Sequence, residues 1–113
     1  MAATRFPIRF EDSSPTIEAI ADRFRELTGL SPVVSAIGPD SYALSSRPLQ
    51  QEVELTIGRT IDVVVFRIRL GYLEWSVLRT LHSLGGRVPA RGFPRWAVAP
   101  WTTLPRYQQW LHR

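Results

Sequence analysis

The stretch that decides the fold is Glu52–Arg69, EVELTIGRTIDVVVFRIR. Two runs rich in valine and isoleucine flank Gly58-Arg59-Thr60, which marks a hairpin and leaves its register to be settled. A two-residue turn at Gly58-Arg59 sets Leu55 opposite Asp62 and Glu54 opposite Val63, mixing polar and apolar side chains on both faces. A three-residue loop sets Ile57, Leu55 and Val53 against Ile61, Val63 and Val65, all on one face. The second register is expected, because only it gathers a continuous surface to bury. It turns Val64, Phe66 and Ile68 onto the other face beside Glu52, Glu54 and Asp62. A strand that is apolar on both sides is usually central and covered twice. The run Ile61–Arg69 is therefore expected inside a sheet, with something lying over its second face.

Upstream, Pro32–Ile37 and Ser41–Ser45 read as two more strands, separated by the turn Gly38-Pro39-Asp40. A second turn at Ser46-Arg47-Pro48 leads into Glu52–Ile57. Strands in succession with short links favour an antiparallel meander over parallel crossovers. The segment Arg5–Phe10 also alternates, and Pro7 assigns it to a sheet edge or an irregular start. Between it and the meander lies a helix, with Ile17, Ile20, Ala21, Phe24 and Leu27 at helical spacing. Ser14 is the expected N-cap, Pro15 the first helical residue and Gly29 the left-handed terminator. Glu18, Asp22, Arg23 and Glu26 make its solvated face.

Downstream, Gly71 opens a second helix with Glu74 at its third position, and Gly85-Gly86 closes it. One stripe holds Leu73, Val77, Leu81 and Leu84; a second holds Trp75, Leu78 and His82. That breadth implies two neighbours, the sheet together with the first helix or the C-terminal segment. His82 is expected to be a partly buried structural histidine. Prolines at 89, 94, 100 and 105 exclude a long helix or a central strand after residue 87, leaving only Leu104–Leu111 for a short terminal helix.

The 113 residues, 44% of them apolar and 21% charged, describe one globular domain. We expect an α+β fold of order β-α-β-β-β-β-α over residues 1–113, with a mainly antiparallel sheet of four or five strands. Residues 1–86 form the body, and 87–113 a basic, Trp- and Pro-rich segment packed on it. Cysteine is absent, which excludes disulfides and thiolate metal sites. No signal-like leader and no apolar run of membrane-spanning length occurs, so the expectation is a cytoplasmic protein without a membrane partner.

All fourteen basic residues are arginine, a bias that codon usage in a GC-rich genome can produce alone. Their distribution carries more information. Residues 1–86 are net −1, whereas residues 87–113 hold five arginines and no acid.

No catalytic or metal constellation emerges. The two histidines are far apart in sequence, and the glycines never form a phosphate loop. Glu52, Glu54 and Asp62 share a sheet face without an anchored basic or nucleophilic partner, and no G-x-S-x-G or H-E-x-x-H occurs. No cofactor is expected. The candidate partner-binding residues are Val64, Phe66 and Ile68 on the second sheet face, with Arg87, Arg91, Arg95, Trp96, Trp101, Arg106 and Trp110 of the C-terminal segment.

That segment has a structural reading, as a lid over Val64, Phe66 and Ile68 with Trp96 and Trp101 buried. It also has two functional readings, as a protein-binding strip or as a grip on single-stranded nucleic acid, guanidinium on phosphate and ring on base. Homodimerisation through the same sheet face is a further way to cover it. A small-molecule or catalytic pocket between sheet and helices has the least support.

The runs GYLEWSVLRTLHSLGG and FPRWAVAPW, within Gly71–Trp101, resemble the closing segment of small bacterial α+β proteins of the immunity-protein type, which pair with secreted toxins. The resemblance implies a non-catalytic cytoplasmic protein that binds another protein, a toxin or the product of a neighbouring gene. Its motif positions are helix, cap and tryptophan anchors, so no functional residue is carried over.

Overall fold

In a computed structural model of the chain, which describes residues 4–66 and 71–87, the hairpin takes the three-residue loop. Ile57 faces Ile61 and Leu55 faces Val63, while Glu54 meets Val64 and Thr56 meets Asp62 on the other side. The loop closes with Gly58 N–H donating to Thr60 O at 2.9 Å. These strands are β4 (Gln51–Ile57) and β5 (Thr60–Val65). With β1 (Thr4–Arg9), β2 (Val33–Gly38) and β3 (Ser41–Ser46) they form one antiparallel sheet in the order β1-β5-β4-β3-β2. The doubly apolar β5 is thus interior, and the Pro7-bearing β1 lies at an edge.

Two helices cover one face, α1 (Ile17–Thr28) and α2 (Tyr72–Ser83), giving the expected element order. The core lies between the layers. Phe6 and Ile8 of β1 join Ile61, Val63 and Val65 of β5, Val53 and Leu55 of β4, and Leu44 of β3. Ile17, Ile20 and Phe24 of α1 and Leu73, Val77, Leu78 and Leu81 of α2 meet them from above. Residues 88–113, with the expected short helix Leu104–Leu111, lie outside the described residues.

One cap differs from the sequence reading. Thr16, not Ser14, caps α1, its hydroxyl accepting from Ala19 N–H at 3.2 Å. Ser14 Oγ donates instead to Gly58 O at 2.7 Å, so the hydroxyl ties the α1 approach to the β4–β5 loop. Both residues are good caps, and only the distant carbonyl decides between them. At the other end Gly29 adopts φ 74° and donates to Arg25 O at 2.8 Å, a left-handed termination.

The N-terminus of α2 is satisfied twice. Gly71 N–H donates to Glu74 Oε2 at 2.6 Å, and Leu73 N–H donates to Gln51 Oε1 of β4 at 2.9 Å. Its C-terminus is a Schellman turn. Gly85 (φ 98°) donates to His82 O at 3.0 Å and Gly86 donates to Leu81 O at 2.8 Å.

The sequence reading missed a small polar stripe on α2. Ser76, Thr80 and Ser83 recur at helical spacing, and Arg23 of α1 reaches Ser83 O at 3.5 Å and Oγ at 3.4 Å. Short side chains on that flank let the two helices approach. Thr80 Oγ1 donates to Ser76 O at 2.7 Å, whereas the buried Ser76 Oγ has no hydrogen-bond partner among the described residues. Ser76→Ala should therefore raise stability by about 0.5–1.5 kcal/mol, since it removes a desolvated hydroxyl and improves helix propensity. Urea unfolding of both chains checks this, and destabilisation would show that the hydroxyl is satisfied.

Candidate interaction surface

The two edges of the sheet are built oppositely. Along β1 the residues whose backbone groups point away from β5 are Arg5, Pro7 and Arg9, because Arg9 bonds outward to Arg87 and the direction repeats at every second residue of the strand. Arg9 is already engaged, exchanging two backbone bonds with Arg87 at 3.0 and 2.7 Å. Pro7 has no N–H to extend that bridge. Charge, proline and a paired segment are the usual ways in which an edge is blunted.

On β2, Val33-Val34-Ser35-Ala36-Ile37-Gly38, there is no charge and no proline, although Pro32 and Pro39 flank it. Among the described residues it pairs only with β3, in the register Val33↔Ser45, Val34↔Leu44, Ser35↔Ala43 and Ala36↔Tyr42. The ladder slips between Ala36 and Gly38, leaving Ile37 as an extra residue. All six residues are exposed. Among the described residues, large apolar side chains are exposed at Val33 (44%), Val34 (36%), Ile37 (52%) and Phe66 (50%), and three of these four lie on this one strand.

The alternation of the ladder fixes which backbone groups point away from β3. Ile57 N–H donates to Asp40 O at 2.7 Å, so even-numbered residues of β3 bond to β4 and odd-numbered ones to β2. On β2, Val33 and Ser35 are then bonded inward, and the N–H and C=O groups of Val34 and Ala36 face outward. Above them runs a groove of about 190 Å³ lined by Ile17, Glu18 and Ala21 of α1 and by Val34.

The second sheet face carries Val64 beside Glu54 and Asp62, in the expected register. Val64 is 5% exposed, between Arg5 opposite it on β1 and Glu54 opposite it on β4. Phe66 is half exposed just beyond the end of β5 at Val65, and the remainder of the expected strand, residues 67–69, lies outside the described residues. Ile68 lies outside the described residues, as do Arg91, Arg95, Trp96, Trp101, Arg106 and Trp110. Arg87 is described and exposed, on the outer side of β1. Val64 and Phe66 are thus brought near one another, while Arg87 is separated from them by its position beyond β1.

Glu52, Glu54 and Asp62 do share the second face, and no cluster able to hold a metal ion occurs among the described residues. His82, expected to be partly buried, is exposed, its Nδ1 3.3 Å from Gly86 O. It lies on the outer line of α2 with Trp75 and Arg79, one step past the buried stripe. Among the described residues, two depressions much larger than the α1 groove open among loops: one of about 630 Å³ at Ser45–Glu52, another of about 550 Å³ between Phe10, Asp12, Ser13 and the Gly58-Arg59 turn. Neither lies between the sheet and the helices.

All ten acids but only eight of the fourteen arginines fall among the described residues, so the described body carries no basic excess. No helix among them is long and apolar enough to cross a membrane. No family model, curated protein or solved structure matches the chain. The surface itself therefore has to carry the functional argument.

Proposed function

We propose that this chain is a non-enzymatic, cytoplasmic protein-binding module, of the kind represented by immunity partners of toxins or by small accessory subunits, and that β2 is its binding edge. One observation carries the reading: among the described residues, most of the exposed large apolar side chains sit on a single uncharged strand whose outward backbone groups have no partner. An edge of that kind accepts an extended segment as an additional strand. Main-chain bonds to Val34 and Ala36 supply affinity, and the α1 groove receives alternate side chains. The resemblance of Gly71–Trp101 to immunity-type proteins supports the same class of function.

The test is capture from the native host with the unmodified chain and with Ile37→Lys in parallel, followed by reconstitution of the recovered protein from purified components. A partner that rebinds the unmodified chain, slows amide exchange at Val34 and Ala36, and is lost with Ile37→Lys is the expected result. A reconstituted complex indifferent to Ile37→Lys, or none at all, would count against β2 as the binding edge.

A further inference from the structure

We infer that β2 pairs with β2 of a second copy of this chain, joining two five-stranded sheets into one antiparallel sheet about a two-fold axis at Ser35. This rests on the reading of β2 as the binding edge and names its occupant in the isolated protein.

Backbone chemistry permits one symmetric register. With Ser35 facing Ser35 of the second copy, Val34 meets Ala36 of that copy and Ala36 meets its Val34. All four outward N–H and C=O pairs are then used. Shifting the axis to Val34 sets Ala36 against Pro32, which has no N–H to give. Shifting it to Ala36 sets Val34 against Gly38, which is already paired with Ser41. The permitted register also brings Val33 beside Ile37 of the second copy, joining the two ends of the exposed apolar strand, with the small Ser35 at the axis. The interface is thereby isologous, each contact occurring twice.

Charge on α1 fits the same axis. Arg23 reaches α2 from one flank of the helix, and the opposite flank, beside the β2 edge, presents Glu18, Ala21, Asp22 and Arg25. A two-fold axis makes the neighbouring α1 helices antiparallel, so the acidic N-terminal end of this stripe faces the basic C-terminal end of the other. Glu18 of each copy then approaches Arg25 of its neighbour, a guanidinium that holds Asp22 at 3.2 Å within its own helix. A parallel arrangement would set like charges together. A second copy and a partner's strand compete for the same groups, so partner capture would convert the homodimer into a heteromeric complex.

Sedimentation equilibrium on the full chain, from micromolar to millimolar protein, is expected to show a reversible dimer of 12.9 kDa protomers. Ile37→Lys, which sets an ammonium against Val33 of the neighbour, and Ala36→Pro, which removes an outward N–H, should each raise the dissociation constant by at least about tenfold. Glu18→Arg and Arg25→Glu should each weaken the dimer, and the two together should restore it. Concentration-dependent slowing of exchange at the Val34 and Ala36 amides of the unmodified chain gives a readout that does not depend on any variant folding. A chain monomeric throughout overturns the dimer and leaves the partner-binding reading standing. A dimer untouched by Ile37→Lys and Ala36→Pro, with those amides unprotected, overturns the β2 pairing and likewise leaves the partner-binding reading standing. A double charge variant as weak as the single ones overturns the two-fold arrangement.

Discussion

Replacing Phe24 with alanine should lower the free energy of unfolding by about 3–5 kcal/mol, the usual response to truncating a fully buried aromatic. Phe24 has no exposed surface, and it is the largest side chain that α1 contributes to the core, on the same stripe as Ile17 and Ile20. The space it fills is bounded by two layers, a hydrogen-bonded sheet below and α2 alongside, and neither can collapse inward without losing its own contacts. A domain of this size has a total stability on the order of 10 kcal/mol, so this one change removes a large part of it. Urea unfolding followed by circular dichroism measures the loss. Phe24→Leu should recover much of it, because most of the volume returns. A loss below about 1 kcal/mol would mean that α1 is not seated as described.

The second large effect is expected at Gly86, where alanine should destabilise by about 2–3 kcal/mol. A Cβ there would lie 2.6 Å from Ile8 Cγ2, 2.7 Å from Leu81 O and 3.0 Å from Phe10 Cζ. Two of these neighbours cannot yield cheaply. Leu81 O is the acceptor of the Gly86 N–H in the turn that ends α2, and Ile8 is wholly buried in β1. Relief would require the end of α2 to lift from β1, which would also disturb the Arg9–Arg87 bridge one residue on. Gly58→Ala is the control. Its Cβ would meet nothing nearer than Thr60 O at 3.7 Å, so thermal unfolding should show a change within about 0.5 kcal/mol. Equal effects at the two glycines would remove the packing explanation.

Both predictions rest on features that differ in how far the sequence announces them. Phe24 follows from helical spacing alone. Gly86 reads in sequence as part of a stop signal, and its second role, as the point where α2 touches β1, needs the two elements side by side. The same division separates Gly29 from Thr16. A left-handed glycine after an amphipathic run is a local matter, whereas the choice between Ser14 and Thr16 as cap depends on Gly58 O, a carbonyl far along the chain. His82 and the Ser76-Thr80-Ser83 stripe were misjudged or missed for a related reason. Periodicity marks an apolar face, but it does not say how wide the buried arc is or whether small polar residues border it because a second helix needs the room.

For the candidate site the separation is sharper. That Val33–Gly38 is short, uncharged and bounded by prolines is visible in the letters. Such a run could equally be a covered central strand, and the sequence reading looked for a surface on the face of Val64, Phe66 and Ile68 instead. By itself the sequence determined the element order, the hairpin register and the interior place of β5, because each depends on side-chain alternation between neighbours along the chain. Only the tertiary structure decided that β1 returns to the far side of β5 and so leaves β2 at the end of the sheet. The physical reason is that strand order is a long-range choice: β5 carries an unsatisfied backbone edge that any strand could fill, and once β1 fills it, the open edge passes to β2.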